Sequence, residues 1–367
     1  MTAAKQVVAV IAGDGIGLEI MPVALECITR AASYFAIGFD FVEYDWGSQF
    51  YSDHGRMMPL NGIELLAKSD AILLGAVGTP EIPDVETLWG LLIPIRRSFE
   101  QYINLRPVKT LPGIPGPLAD PRLIDFVIVR ENNEGEYSEV GGRTYRGLPQ
   151  ETAYQQATFS RFGIERAARF AADLAQRRSG YLVSATKSNG IVHTMPFWDE
   201  IVAEVVGGYP GVRLEPVLVD ALAARMVLRP WSLDVVVASN LFGDILSDLG
   251  SALTGSIGVA PSANLNPERR HPSMFEPVHG SAPDIAGKGI ANPVGQLWAA
   301  ALMLDHLGHA QIAELITTAI EAVLVAGVST ADLGGSASTA QFAAAVLAKI
   351  DELAHARSAT SQAGERV

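Results

Sequence analysis

The sequence predicts an α/β protein of two lobes with a largely parallel sheet. Two observations carry that reading: short apolar runs alternate with helical patterns, and 367 residues exceed what a single core ordinarily fills. With 49% hydrophobic and 18% charged residues, the composition is that of a globular chain without a long disordered tract.

Residues 6–12 read as a first strand and 18–36 as a helix; 39–44 follow as a second strand, a helix begins after Pro59, and 71–74 form a third strand. Further strands are expected at 126–130, 181–185, 212–218 and 234–238, separated by helices near 163–178, 194–206 and 242–254. Residues 295–355 read almost wholly as helix. The stretch 109–122 holds four prolines and two glycines, so it is neither helix nor central strand, and it marks a crossing between lobes. Residues 134–156 are polar, aromatic and aperiodic, which suits a protruding β-ribbon able to pair with its copy in a second subunit. A frayed end is expected from Ala356.

Forty acidic against 27 basic residues give a net charge of −13, which argues against nucleic acid or an anionic membrane as partner. It does not argue against a small anion, because a few local arginines outweigh distant surface charge. Cys27 stands alone, so an intrachain disulfide and a cysteine-rich zinc site are excluded, and it is expected to fill core space on the first helix. The first apolar run is short and leads into a glycine turn, and no stretch reaches the length of a membrane span, so a cytoplasmic protein is expected.

Four groupings carry candidate chemistry. Gly13-Asp14-Gly15-Ile16-Gly17 follows a strand and opens a helix, yet its glycines recur every second residue, unlike a dinucleotide fingerprint; a tight structural turn is the simpler account. Arg96, Arg97 and Arg106, with Arg130 at the end of a strand, form a second grouping; Arg96 and Arg106 sit where solvation is incomplete, and such guanidinium groups need anionic partners. Those partners are either internal, Glu131 or Asp125, or the two carboxylates of a ligand. Asp244 and Asp248, four apart, share one helix face and suit a hard divalent cation; the competing account is an N-terminal capping pair. Finally, residues 279–293 form a long glycine- and proline-bearing loop ahead of the helical third, and loops of that length are usually functional.

Together, in this order and spacing, these groupings resemble the β-decarboxylating dehydrogenases, the family of isopropylmalate, isocitrate, and tartrate or D-malate dehydrogenases. The likeness spans nearly the whole chain, through Asn104-Leu105-Arg106-Pro107, Arg130-Glu131-Asn132 and Gly135-Glu136-Tyr137 to the Asp244/Asp248 helix and the 279–293 loop. It implies an isopropylmalate dehydrogenase-like fold with a discontinuous first domain, 1–103 with 256–367, that carries the cofactor at a non-Rossmann site. Residues 104–255 would form the substrate, metal and dimerisation lobe.

The resemblance further implies that Arg96, Arg106 and Arg130 hold substrate carboxylates and that Tyr137 and Lys187 are the catalytic acid and base. Asp244 and Asp248 would bind Mg²⁺ or Mn²⁺ with Asp220, with Asp220 and Lys187 reaching across a homodimer. His279, Gly280, Ser281, Ala282, Asp284 and Asn292 would contact NAD, Asp284 standing where relatives that use NADP carry a basic residue. A monovalent cation such as K⁺ is a further candidate cofactor. The chain departs from the pattern at Asn133, where relatives often carry threonine.

The implied reaction is oxidation and decarboxylation of a small 2-hydroxy dicarboxylate. The segment before Arg96, Thr87-Leu88-Trp89-Gly90-Leu91-Leu92-Ile93-Pro94-Ile95, offers no polar pair for a third carboxylate, which disfavours isocitrate. Trp89-Gly90 and the 99–107 segment look like the tartrate and D-malate group, with 3-isopropylmalate the alternative. A non-catalytic regulatory subunit is the remote alternative, since such relatives would have lost these side chains.

Overall fold

The computed structural model describes residues 5–119 and 122–364, and side chains as far as Arg357. In chain order the strands are β1 (Gln6–Gly13), β2 (Phe39–Glu43), β3 (Ala71–Ala76), β4 (Ile103–Lys109), β5 (Asp125–Glu131), β6 (Gly141–Thr144), β7 (Thr152–Gln155), β8 (Tyr181–Thr186), β9 (Arg213–Leu218), β10 (Val235–Ala238), β11 (Pro261–Leu265) and β12 (Ser273–Pro277). The chain divides into two compact units: 1–100 with 110–117 and 254–367, and 101–109 with 118–253. The proline-rich stretch passes from the second unit into the first at Thr110 and back at Leu118.

The first unit orders its strands β2-β1-β3-β12-β11. The first four run parallel, and β11 pairs antiparallel with β12. Every residue of β3 is buried, as expected of a parallel strand covered on both faces. Ile11, Leu74, Trp46, Met57 and Phe99 pack in one apolar cluster of this unit. The helix Gly17–Ser33 buries Ile20, Ala24, Cys27 and Ile28, a spacing of three and four that defines its inner face. Cys27 is fully buried, and burial pushes its thiol up to about 12, which leaves it as an inert packing residue. Helices Val294–His306, Ala310–Val325 and Thr339–Gly364 supply the helical third. The last helix runs to Gly364, past Ala356; side chains from 358 on and residues 365–367, which hold most of the expected frayed end, lie outside the described residues.

The second unit orders its strands β4-β5-β10-β8-β9, parallel except for the β4–β5 pair. β6 and β7 form a separate antiparallel ribbon within the expected 134–156 segment. Its Tyr145, Leu148 and Tyr154 are exposed. Among the described residues no helix is long and apolar enough to cross a membrane.

Candidate functional site

Pairing between β4 and β5 sets Asn104 opposite Arg130 and Arg106 opposite Ile128. Side chains alternate along a strand, so Asn104, Arg106 and Arg130 emerge on one face. The helix Asn240–Leu253 packs against β4 and β5. Two glycines one heptad apart permit its close approach: a Cβ on Gly243 would lie 2.6 Å from the Arg130 Cβ, and one on Gly250 would lie 2.7 Å from a Val108 methyl.

That approach brings the arginines to the helix's polar side chains. Arg130 donates to Asn240 Oδ1 from Nε at 3.0 Å and from a terminal nitrogen at 2.6 Å, and pairs with Asp244. Arg106 donates to Asn104 Oδ1 at 2.7 Å and Ser247 Oγ at 2.6 Å, and lies 3.4 Å from Asp244 and 3.3 Å from Asp248. Tyr137 donates to Asp244 Oδ2, and its ring lies 5.6 Å from the Arg130 guanidinium. Burial raises the Asp248 carboxyl above its ordinary range, Arg106 opposing and Asp244 reinforcing the shift. The helix begins at Asn240, so Asp244 lies beyond its first turn and the capping account fails.

The internal partners expected for the arginines are otherwise engaged. Asp125 pairs with Arg178 at 2.8 Å. Glu131 accepts the backbone N–H groups of Asn133 and Glu134, and its closest cation is Arg166 at 4.0 Å. Burial pushes the Glu131 carboxyl up to about 7.

Lys187 and Asp220 form their own pair at 2.5 Å, because β8 and β9 run in register and end side by side at Thr186 and Leu218. The bond from Lys187 holds the Asp220 carboxyl below the usual carboxylate range. Among the described residues no three His, Cys, Asp or Glu side chains converge as a metal cage, so one chain brings Asp244 and Asp248 together without Asp220. Two carboxylates one helical turn apart, chelating on one side, are the donor chemistry of a hard divalent cation whose remaining positions come from elsewhere.

In the first unit, Arg96 follows a π-helical turn, Leu88–Leu92, and donates to Glu276 Oε1 at 2.9 Å. Its Nε is buried without a partner. Gly90 is required in that turn because a Cβ there would meet Met57 at 2.8 Å, while Trp89 stacks with the Arg97 guanidinium at 5.1 Å. The glycine turn 13–17 is structural at its centre: Asp14 accepts from Ser48 N, Ser48 Oγ and Gly78 N at 2.8, 2.6 and 2.7 Å. A carboxylate so placed repels phosphate.

The 279–293 loop rests on that turn. Ser281 O accepts the Ile16 N–H at 2.9 Å, and Glu19 accepts the N–H groups of Gly287 and Gly289, both of which have left-handed backbone. Asn292 donates to Asp332 at 2.9 Å and accepts from Val294 N at the head of its helix. Burial holds the His279 imidazole below its ordinary value, and its Nε2 is a buried atom without a partner. Asp284 is exposed. Two clefts border this loop, one of about 450 Å³ reaching Gly15, Tyr44 and Pro283, and one of about 530 Å³ reaching Thr79, Gly280 and Ala282. Gly280, Ser281 and Ala282 line the second cleft directly, and both clefts have volumes in the range that holds a small ligand.

Sequence reasoning missed Glu276, Asn240, Ser247, Glu19 and Asp332, the partners that fix these side chains. Asn240 and Ser247 were within reach, since they share the Asp244 helix; Glu276 and Asp332 meet their partners through tertiary contacts that leave no local signal.

The family described as isocitrate/isopropylmalate dehydrogenase matches residues 7–346. A Bacillus subtilis (strain 168) protein named probable tartrate dehydrogenase/decarboxylase is 50% identical over 355 residues, covering 96% of this chain and 100% of its own. An Escherichia coli (strain K12) protein named D-malate dehydrogenase [decarboxylating] is 51% identical over 92% of this chain and 97% of its own. Among solved structures, isocitrate dehydrogenase from Methylococcus capsulatus superposes with a TM-score of 0.84 at 31% identity, covering 94% of this chain and 99% of the other. A β-decarboxylating dehydrogenase from Thermococcus kodakarensis gives 0.75 at 36% identity, with 95% and 97% covered.

Proposed function

Because the chain belongs to the isocitrate/isopropylmalate dehydrogenase family, we propose that it oxidises a small 2-hydroxy dicarboxylate with NAD and decarboxylates the product, D-malate or tartrate being the substrate. The observation that carries this reading is the gathering of Arg106, Arg130 and Tyr137 about the Asp244/Asp248 helix face. Two buried guanidinium groups bind planar carboxylates in a fixed orientation. Arg96, whose buried Nε still has a hydrogen to donate, supplies a third such group.

Asp244 and Asp248 would hold Mg²⁺ or Mn²⁺ together with Asp220 from a second copy of the chain, and Lys187 would arrive with Asp220 in an active homodimer. When bound, the cation supplies Lewis-acid polarisation and NAD the hydride acceptor. Lys187 takes the proton of the 2-hydroxyl as hydride leaves C2, and Tyr137 returns a proton to the former C3 after CO₂ departs. In the first unit, His279, Gly280, Ser281, Ala282, Asp284 and Asn292 hold the cofactor. Asp284 favours NAD, since a carboxylate repels a 2′-phosphate.

The names of the relatives at 50% and 51% identity, probable tartrate dehydrogenase/decarboxylase and D-malate dehydrogenase [decarboxylating], support D-malate or tartrate as the substrate. The test is initial-rate comparison of D-malate, L-malate, the tartrates, 3-isopropylmalate and isocitrate with NAD and Mn²⁺. Highest kcat/KM with 3-isopropylmalate or isocitrate refutes the substrate assignment.

A further inference from the structure

The N-terminal ends of β1, β3 and β12 border a cleft of about 310 Å³, lined in part by Gln6, Asp70, Arg269, Arg270, His271 and His306. These strands are parallel, so their opposite ends are Gly13, Ala76 and Pro277, which lead into the glycine turn, Gly78 and the His279 loop. The cleft therefore lies at the far edge of the first unit's sheet from the clefts assigned to cofactor.

Its lining is rich in donors and poor in acceptors. Asp70 is the lone carboxylate, and its Oδ2 accepts the Val7 N–H at 2.7 Å. Among the described residues neither Arg269 nor Arg270 has a carboxylate within ion-pairing reach. Three consecutive cationic or cationisable side chains, Arg269, Arg270 and His271, are presented by a fixed turn. Asn266 O accepts from Arg269 N at 2.9 Å, and Asn266 Oδ1 accepts from Arg270 N at 2.8 Å and His271 N at 3.3 Å. Asn266 Nδ2 in turn donates to Glu100 O at 3.1 Å. Arg269 takes a left-handed backbone, φ 55°, which a residue with a side chain adopts at a cost in strain. The Asn266 bonds thus hold two like charges side by side with no ion pair to a described carboxylate to offset their repulsion. Burial, helped by Arg269, holds the His306 imidazole down at about 4, so at neutral pH it is an uncharged ring with one N–H.

We propose that this cleft is a second ligand site, one that binds a compact phosphate-bearing anion of the size of pyrophosphate. Donors on four side chains, three consecutive on the Asn266 turn and the fourth at the end of the helix Val294–His306, suit a tetrahedral anion, whose oxygens can engage more than one of them. A carboxylate is served by a single guanidinium fork. The volume is at the lower limit of ligand pockets and far below that needed for a dinucleotide.

Calorimetric titration with inorganic pyrophosphate at fixed ionic strength tests the site, with citrate as the carboxylate counterpart. Arg106→Ala removes a catalytic-site arginine, and Arg269→Gln with Arg270→Gln removes the proposed donors. Pyrophosphate binding is expected to survive Arg106→Ala and to weaken about tenfold or more in the double glutamine variant, whose turnover stays at the wild-type level. Binding undiminished in that variant, or citrate binding as tightly as pyrophosphate, overturns the proposal. Should the double variant fail to fold, ¹H–¹⁵N histidine spectra of the unaltered protein decide. Pyrophosphate is expected to shift the His306 and His271 signals and to move the His306 titration upward; signals that stay in place overturn the assignment.

Discussion

Tyr137 Oη donates to Asp244 Oδ2 at 2.9 Å, and the same carboxylate draws Arg106 and Arg130. The phenol proton is thereby aimed into the cluster of charge that the proposed substrate would enter. Tyr137→Phe removes that proton while the ring can keep its place beside Arg130. The variant is expected to slow decarboxylation and protonation by roughly 10²- to 10⁴-fold, and hydride transfer by much less. Single-turnover NADH formation followed beside keto-acid formation checks this; equal slowing of both reassigns Tyr137 to the hydride step.

Asp284 is exposed at the head of a loop pinned by Glu19 and Asp332, so its side chain can change without dislodging the loop. Asp284→Lys with Ile285→Tyr is expected to move the NADP/NAD preference towards NADP by about tenfold or more. A wild-type enzyme that already prefers NADP contradicts the role given to Asp284.

Lys187 and Asp220 pair with each other in one chain, away from any three-carboxylate cluster among the described residues. If they complete the site of a second copy, mixing Arg106→Ala and Lys187→Ala proteins creates hybrids with one intact site. Random exchange is expected to restore about one quarter of wild-type activity. Verified exchange without recovery excludes a shared site.

Glu131 is fully buried with its carboxyl pushed up to about 7 from an ordinary 4.5. The folded state therefore binds more protons than the unfolded state between those values, so this group's contribution to stability is present below pH 4.5 and lost as pH rises through 7. His306, held at about 4, acts with the opposite sign over the overlapping range, and the two mask each other in the wild type. Glu131→Gln isolates the first: its stability relative to wild type should climb by about 2–3 kcal/mol from pH 4.5 to 8. Urea unfolding across that range measures the difference, and a pH-independent offset would show that Glu131 ionises in the fold as it does in water.

The alternating elements and the ribbon were legible because each depends on local period and turn chemistry. β1, for example, is an unbroken apolar run ended by a glycine. β11 and β12 were not, since Pro261, Asn264 and Glu276 lack strand patterning and are placed by tertiary pairing and by hydrogen bonds such as Asn264 to Glu276 at 2.7 Å. At the site, the pairing of Asp244 with Asp248 could be read from helical spacing. That Arg96 meets Glu276, 180 positions away, could not. The π-helical turn before Arg96 was likewise hidden, since nothing in Leu88-Trp89-Gly90-Leu91-Leu92 marks it off from an ordinary helix.

Gly243 and Gly250 have a consequence for how this enzyme can change over evolutionary time. With backbone set directly against Arg130 and Val108, that helix has no side-chain bulk to trade at those points. Small mutational steps cannot slide or tilt this helix on the strands that carry Arg106 and Arg130. Change must therefore accumulate where the chain has slack, as at Gly280, where an added Cβ would meet nothing within 4 Å.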